Sequence, residues 1–415
     1  MTNRQIVAGI VLLAGLAVAP GPVRAQTRIG QYEDEAPLRS WNAAPFVLAA
    51  ALGRGGTSFT LASDPSAALA NPALLPLLPR FSAAVQGYYE AGSMAKAGPI
   101  GTGVFLTDGN AVASGSGLDY AGAAVRVGRW GFALSVSQEE SYLRPAAAYS
   151  LGAGGGGNGY FIQWTQTGRL RIANAAVGGI LGRGFSVGFG ASWAFGRLER
   201  SFVERVTGLG GNEISDVVTQ DFSGLFFTAG LLWSPTSRFR AAAVLRTPYD
   251  RKADNRSALG YKAPDANTDI SIDAASRDTA RQPLTAGLGV SLDVSASLTL
   301  AVEASYFGWA AYSLDFFGET QDRAFRNVVR LNVGLEIREK VSLFGTEFDM
   351  PTRVGLIYDP QPMKDAASAY GAITIGTGLA AGVFRLDLAA LFGREWGSGS
   401  GLEARKIAFT LGFRL

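Results

Sequence analysis

The sequence predicts an all-β protein, a 14-stranded antiparallel transmembrane β-barrel. The first observation is a repeat of short segments in which apolar and polar residues alternate, as in a strand with two different faces. The second is that the links between these segments are alternately short and long, as in barrels that cross a membrane. The third is composition: 54 glycines among 415 residues and 11% aromatic residues suit strands and tight turns better than helices.

The alternation is clear in segment 329–337, where Val329 and Leu331 lie on one face and Arg330 and Asn332 on the other. One face is therefore apolar and the other polar, as expected for a strand between lipid and a polar lumen. The same pattern recurs in segments 185–195, 284–293, 298–306, 384–392 and 407–415.

This pattern predicts fourteen candidate strands. They lie near residues 81–92, 118–128, 130–142, 160–181, 185–200, 222–233, 238–247, 284–293, 298–310, 327–338, 352–359, 369–380, 383–393 and 405–415. Short turns lie at 128–129, 182–184, 234–237, 294–297 and 381–382, with a longer one at 339–351. Long polar connections lie at 93–117, 143–159, 201–221, 248–283, 311–326, 360–368 and 394–404, and we expect these to be extracellular loops.

An even number of strands places both chain ends at the short-turn end, which is the periplasmic end of a bacterial outer-membrane barrel. Closure is required because lipid offers no hydrogen-bond partner to a free sheet edge. Some aromatic residues near the strand ends are candidates for contact with the membrane interface. They are Trp130, Trp193, Trp233, Tyr306 and Phe413. The predicted location is therefore the outer membrane, with its lipid as a partner.

Residues 1–25 are predicted to be a secretory signal peptide. They contain Arg4, an apolar run at 6–19 and a small-residue cleavage site that ends at Ala25. The apolar run is too short to cross a bilayer as a helix. We therefore expect the rest of the chain to be exported.

The composition also excludes several classes of function. The chain has no Cys and no His, so the usual Ser-His and Cys-His nucleophiles and the His/Cys metal sites cannot form. We therefore predict that it is not an enzyme and that it holds no metal and no cofactor. The 37 basic and 34 acidic residues are interspersed and give a net charge of +3, so no basic tract for nucleic acid exists.

A Gly-rich, apolar stretch before the first predicted strand carries a motif. Its residues are Gly53, Gly55 and Gly56, then Asp64, Pro65 and Ser66, and then Asn71, Pro72 and Ala73. This motif resembles the N-terminal signature of the FadL-type outer-membrane transporters of long-chain fatty acids and other hydrophobic compounds. The resemblance implies that residues 26–80 form a hatch inside the lumen of a 14-stranded barrel made by residues 81–415.

The resemblance also implies a function, the passive uptake of a hydrophobic small molecule such as a long-chain fatty acid. Extracellular loops would capture the ligand, the hatch would move, and the ligand would leave sideways through the barrel wall. The family further implies a monomer that the barrel-assembly machinery inserts into the membrane.

Some residues depart from the family pattern. Leu74 follows the Asn-Pro-Ala motif where the family commonly has Gly, and the chain ends in Leu415 instead of the usual aromatic residue. The motif Asp64-Pro65-Ser66 also resembles that of the PorV-type relatives, which have the same barrel fold. The alternative function is therefore an outer-membrane component or shuttle of a protein secretion system.

In FadL-type proteins the third strand carries a kink that opens a lateral hole. The alternation of the third predicted strand breaks at Gln138, Glu139 and Glu140, which are therefore candidates for such a kink. The interpretation that we favour from the sequence is that these residues stand above the bilayer.

Charged residues at inward-facing positions could bind a ligand carboxylate. The favoured interpretation is that most of them pair with one another and with the hatch, because an unpaired buried charge is costly. These residues are Arg126, Arg240, Arg246, Glu303, Arg330, Glu336, Arg385 and Asp387.

Overall fold

The computed structural model describes most of the chain after residue 46. The described residues are 47–93, 104–106, 112–151, 159–207, 211–264, 267–321, 325–343, 345–362, 364, 368–396 and 403–415. The predicted signal peptide and residues 26–46 of the predicted hatch lie outside the described residues.

Within the described residues, the wall of the molecule is one β-sheet with twenty strand segments. These are β1 (Phe81–Ser93), β2 (Val104–Leu106), β3 (Val112–Val127), β4 (Trp130–Ser141), β5 (Arg144–Leu151), β6 (Gly159–Gly182), β7 (Phe185–Thr207), β8 (Asn212–Trp233), β9 (Phe239–Arg246), β10 (Tyr249–Ala263), β11 (Thr268–Gln282), β12 (Thr285–Asp293), β13 (Leu298–Phe307), β14 (Ser313–Phe316), β15 (Glu319–Gln321), β16 (Val328–Leu343), β17 (Thr346–Pro360), β18 (Ala369–Ala381), β19 (Phe384–Trp396) and β20 (Glu403–Arg414).

The sheet closes on itself as an antiparallel barrel. The first strand, β1, pairs with β3 on one side and with the last strand, β20, on the other. Three wall strands consist of two segments each, namely β4 with β5, β9 with β10 and β11 with β12, whereas β2, β14 and β15 are short additions. The wall therefore has fourteen strands, which confirms the predicted fold class.

The two faces of the wall differ as the alternation predicts. In β19, Phe384 is 67% exposed and Leu388 is 47% exposed on the outer face, whereas Asp387 is only 3% exposed on the inner face. Exposed Leu, Val, Ile and Phe side chains recur at outward positions of the other strands. We call this outer apolar surface the belt; it suits a lipid environment, while the inner face carries the polar groups.

Several long connections were wrongly predicted as loops. Residues 248–283 are mostly the hairpin β10–β11, in which Tyr249 faces Gln282. The pair β7–β8 likewise continues through most of 201–221. The reason lies above the belt, where both faces of a strand meet water and alternation disappears, so β11 is exposed at seven successive positions.

The helices of the described residues are short and lie mainly before the first strand. They are α1 (Ala49–Gly53), α2 (Ala67–Ala70), and the 3₁₀ helices η1 (Pro72–Leu77) and η2 (Trp309–Ala311). In the described residues, no helix is long and apolar enough to cross a membrane.

Residues 47–80, which we call the luminal segment, lie inside the barrel. Helix η1 contacts β4, β6, β7 and β8, whereas α1 contacts β17, β18, β19 and β20 on a different part of the ring. The segment then leads directly into β1 at the short-turn end. This position brings it against many of the inward-facing side chains of the wall.

Candidate functional site

A chain of buried charges joins the luminal segment to the wall. Arg54 donates to Glu336 (2.6 Å), and Arg353 donates to the same carboxylate (2.7 Å). Arg353 also donates to Asp387 (2.7 Å), which accepts a further bond from Arg385 (2.5 Å). We call these five residues the charge chain. They are largely withheld from water, and each has at least one oppositely charged partner in the chain.

Side chains of the wall also bind the backbone of the luminal segment. Glu303 accepts hydrogen bonds from the N–H groups of Ser58 (2.7 Å) and Phe59 (2.6 Å). The hydroxyl of Thr374 accepts from the N–H of Gly55 (2.9 Å). Bonds of the same kind join Asn332 to the Gly55 carbonyl, Arg240 to the Thr60 carbonyl, and Gln86 and Thr410 to the Ala49 N–H. The wall thus supplies partners that an irregular buried backbone needs.

Inward-facing glycines of the wall leave room for this backbone. A Cβ at Gly355 would overlap the backbone of Arg54 and Gly55, and one at Gly188 would overlap that of Pro72. Gly131, Gly178, Gly230 and Gly334 face the luminal segment in the same way. Gly55 has a φ of +69°, a conformation that favours glycine. The two backbones therefore approach more closely than side chains would allow.

Asn71 fixes the second half of the luminal segment. Its Oδ1 accepts from the N–H of Ala73 (3.0 Å) and so caps η1, which Pro72 begins. Its Nδ2 donates to the carbonyls of Phe59 (2.8 Å) and Leu231 (3.3 Å). The side chain is fully buried, and it ties η1 both to the segment and to strand β8.

The middle of the motif has a local role. Asp64 accepts from the N–H of Ser66 (2.9 Å) and from its hydroxyl (2.5 Å), just before α2. Pro65 is buried beside them, and Gly56 has a φ of +80° next to Gly53 and Gly55. The Asp-Pro-Ser residues therefore shape a turn within the segment.

The candidate kink residues lie at the end of β4. Burial alternates along β4 as far as Ser137, and then every residue from Gln138 to Ser141 is buried. The register with β6 shifts between Gln138 and Glu140, so that Glu139 is an extra residue in β4. Both faces of the strand are therefore inside the protein from this point on.

The wall is interrupted beside this bulge. Pairing between β3 and β4 ends at Tyr120 and Ser137, and among the described strands residues 112–119 of β3 pair with β1 alone. The register places the interruption just above Trp193, at the edge of the belt. Among the described strands, about eight residues of β3, or roughly 27 Å, thus lack a paired strand on one side, although β5 lies near them.

Cations lie over aromatic rings on the inner side of this interruption. Arg246 is paired with Glu139, and its guanidinium carbon lies 4.6 Å from the centre of the Phe226 ring. Arg251 donates to the hydroxyl of Tyr142 (3.0 Å), and its guanidinium lies over the ring of Phe222. The rings belong to a buried apolar cluster that also contains Leu48, Leu69, Tyr120, Leu170, Ile172 and Leu198.

The other predicted charges have different surroundings. Arg330 donates to Asn332 (3.2 Å) beside the luminal segment, whereas Arg126 is exposed at the end of β3. Two buried arginines, Arg353 and Arg251, belong to these networks but were not among the predicted site residues. Arg353 occupies an inward position of a predicted strand and could have been found by alternation, whereas Arg251 lies in a segment predicted to be a loop. In the part of the chain that the structure describes, no acidic group is arranged to hold a metal ion.

Comparison with known proteins supports these observations at the level of family and fold. A family model described as BamG matches residues 68–402. None of the curated proteins compared matches the sequence.

Similar solved structures include a FadL homologue and two toluene transporters. A Pseudomonas aeruginosa FadL homologue is 15% identical with a TM-score of 0.65, over 91% of this chain and 99% of that chain. The Ralstonia pickettii toluene transporter TbuX is 15% identical with a TM-score of 0.61, over 89% of this chain and 98% of that chain. The P. putida toluene transporter TodX is 13% identical with a TM-score of 0.63, also over 89% of this chain and 98% of that chain. The chain thus has the FadL-type fold, a multi-pass β-barrel of the bacterial outer membrane.

We expect Glu336→Gln to loosen the luminal segment, because a neutral amide leaves Arg54 and Arg353 without their shared carboxylate. Loss of one partner of a buried ion pair costs about 3–5 kcal/mol. Limited proteolysis in increasing urea, read by mass spectrometry, should show cleavage within residues 47–80 at lower urea than in the parent protein. Glu339→Gln, which alters an exposed residue of the same strand, is the control. Equal protection of Glu336→Gln and the parent would contradict the role of the charge chain.

Proposed function

This chain belongs to the BamG family, and we propose that it carries hydrophobic small molecules passively across the outer membrane. The observation that carries the proposal is the interruption between β3 and β4, which has apolar surface on both sides. The solved neighbours include transporters of toluene, which supports the same class of cargo.

On the outer side, the interruption opens above an apolar groove in the belt. The groove has a volume of about 560 Å³, and its lining includes Leu134, Val136, Ala173, Ala175 and Trp193. A hydrophobic molecule that passes the interruption would therefore meet apolar side chains and then lipid. This arrangement favours sideways exit into the membrane over release into the periplasm.

On the inner side, the buried apolar cluster would hold the apolar part of the cargo. Leu48 and Leu69 of the luminal segment belong to this cluster together with Tyr142 and Phe226 of the wall. A ligand that enters the cluster must displace these two leucines, so binding and movement of the luminal segment would be coupled. In this proposal residues 26–80 act as a hatch and residues 81–415 as the conducting barrel.

A long-chain fatty acid is the specific cargo that we propose. Its chain would replace leucine side chains in the cluster, and its carboxylate would accept hydrogen bonds from Arg246 or Arg251. Both guanidinium groups lie against aromatic rings, which holds them at the boundary of the cluster.

Deletion of Glu139 tests the proposed exit. Removal of this extra residue should let β4 continue in register with β6, approach β3 and close the interruption. We expect the uptake of radiolabelled oleate by cells that produce the protein to fall at least threefold. Glu139→Asp keeps both the extra residue and the carboxylate that pairs with Arg246, so its uptake should stay near that of the parent.

The possible results separate the parts of this proposal. Oleate uptake by the parent that does not exceed the uptake of cells without the protein would refute transport of this cargo. Parent-like uptake after deletion of Glu139, in a folded barrel, would refute exit at this site.

A second candidate role is contact with a periplasmic protein, and a protruding hairpin favours it. Strands β16 and β17 stay paired as far as Leu343 and Thr346 at the short-turn end. The neighbouring strand β13 ends its pairing with β16 at Ile337, so the hairpin extends by several residues beyond it, or about 20 Å. Its unpaired edge could receive a strand of a partner, as a component of a secretion or assembly machinery would require.

Site-specific photo-crosslinking tests this second role. A photoreactive residue at Lys340 should yield a defined crosslinked partner in intact cells, whereas one at Thr236 in a short turn should yield none. The absence of any crosslink from Lys340, or the same products from both positions, would exclude the hairpin as a docking element.

A further inference from the structure

Two prolines interrupt the wall at a second place. The ladder between β9 and β12 ends at the pair Arg246–Thr285, and the ladder between β10 and β11 resumes at Tyr249–Gln282 in the same register. The residues between these pairs are Thr247 and Pro248 on one strand and Pro283 and Leu284 on the other. Proline has no N–H, so each strand lacks a donor here.

No backbone hydrogen bond joins these facing residues in the described part of the chain. Thr247 donates its N–H outward to Phe227 of β8, and the carbonyl of Leu284 accepts from Gly308 on the other side. Beside Gly308, strand β13 also ends and the 3₁₀ turn η2 begins. The unpaired stretch spans three residue steps, or about 10 Å along the strands. Between these two neighbouring strands, pairing stops over this stretch and resumes beyond it.

Apolar surface lies directly outside this break. A groove of about 570 Å³ runs across β8, β9, β12 and β13 below the prolines. It exists because alanines alternate with large residues: Leu245 faces Ala229 on one side and Ala286 on the other, and Leu288 faces Ala304. The groove has nearly the same volume as the groove below the β3–β4 interruption.

The inner side of the break carries both apolar and polar side chains and is closed by the luminal segment. A cavity of about 20 Å³ lies between Phe59 and Leu69 of that segment and Val244, Arg246, Thr285 and Gly287 of the wall. It has room for about one water molecule. The ring of Phe59 packs against Gly287, at a place where a Cβ would not fit. Movement of Phe59 would therefore open the lumen to the stretch of the wall that lacks these backbone hydrogen bonds.

We propose that the proline pair Pro248–Pro283 marks a second lateral window, through which an uncharged apolar molecule passes from the lumen to the outer groove. This inference rests on the proposed transport function and adds a route to it. The window opens when the luminal segment withdraws Phe59 and the two strands, which share no hydrogen bond at this level, separate. Uncharged cargo is specified because Phe59, Leu69 and the groove are apolar, and because the charge of Arg246 in the inner cavity is already paired with Glu139. The first interruption, in contrast, presents Gln138, Glu139 and Glu140.

A disulfide across the break tests the window. The native chain has no cysteine, so Thr247→Cys with Leu284→Cys can form only the intended bridge between facing positions. The matched control is Ala241→Cys with Val290→Cys, a facing pair lower in the same two strands. The probe is the uncharged fluorophore N-phenyl-1-naphthylamine, whose uptake is followed in cells that produce each variant. Gel mobility before and after heating verifies that each barrel is folded.

We expect oxidation to lower the initial uptake rate at least twofold in the Thr247–Leu284 pair, and reductant to restore it. The control pair should be unaffected. In the protein that lacks Glu139, where the first interruption is closed, the same bridge should remove most of the remaining uptake. If the bridge prevents folding, Pro248→Val with Pro283→Val should lower uptake instead, because it returns both N–H donors to the ladder.

The outcomes distinguish this inference from the proposed function. Parent-like uptake by the verified disulfide, or by the folded valine variant when the bridge does not fold, would overturn the second window and leave transport intact. If the parent takes up neither the fluorophore nor oleate, transport and the second window are overturned together.

Discussion

The rest of the structure depends on one constraint: an irregular segment threaded through a barrel must find partners for its buried backbone and charges, on the inner wall or within itself. The charge chain meets this constraint for Arg54, while Glu303 and Thr374 meet it for the backbone on either side. Glycines such as Gly355 supply the space that these bonds require. The polar side chains and the glycines of the inner face thus serve the same purpose, which is to hold residues 47–80 at a defined position in the lumen.

The luminal segment also bears on the proposed route of transport. A closed ladder of hydrogen bonds is stiff, and a well-filled lumen leaves a ligand no straight path to the periplasm. In the proposed transport, passage is therefore easiest where the ladder already lacks bonds, at the bulge of Glu139 and at the proline pair. Both places lie at the outer edge of the belt and next to leucines or phenylalanine of the luminal segment, so a single movement would affect both.

The strands of the wall could be predicted from the sequence because they depend on a local pattern. Alternation with a period of two indicates which side chains meet lipid. Alternation failed above the belt, where β11 meets water on both faces and looked like a loop. The site was harder to predict. Arg54 and Glu336 are 282 residues apart, and no local pattern pairs them. The bulge at Glu139 was visible only as a break in alternation, and Pro248 was hidden in a predicted loop.

The most direct test of the account is the electrical conductance of the barrel without its luminal segment. The central claim is that residues 47–80 close the lumen. Deletion of residues 47–75 should leave a barrel whose gel mobility still changes on heating, and in planar bilayers it should give large, steady ion currents where the parent gives almost none. Parent-like conductance from a correctly folded deletion variant would contradict the claim.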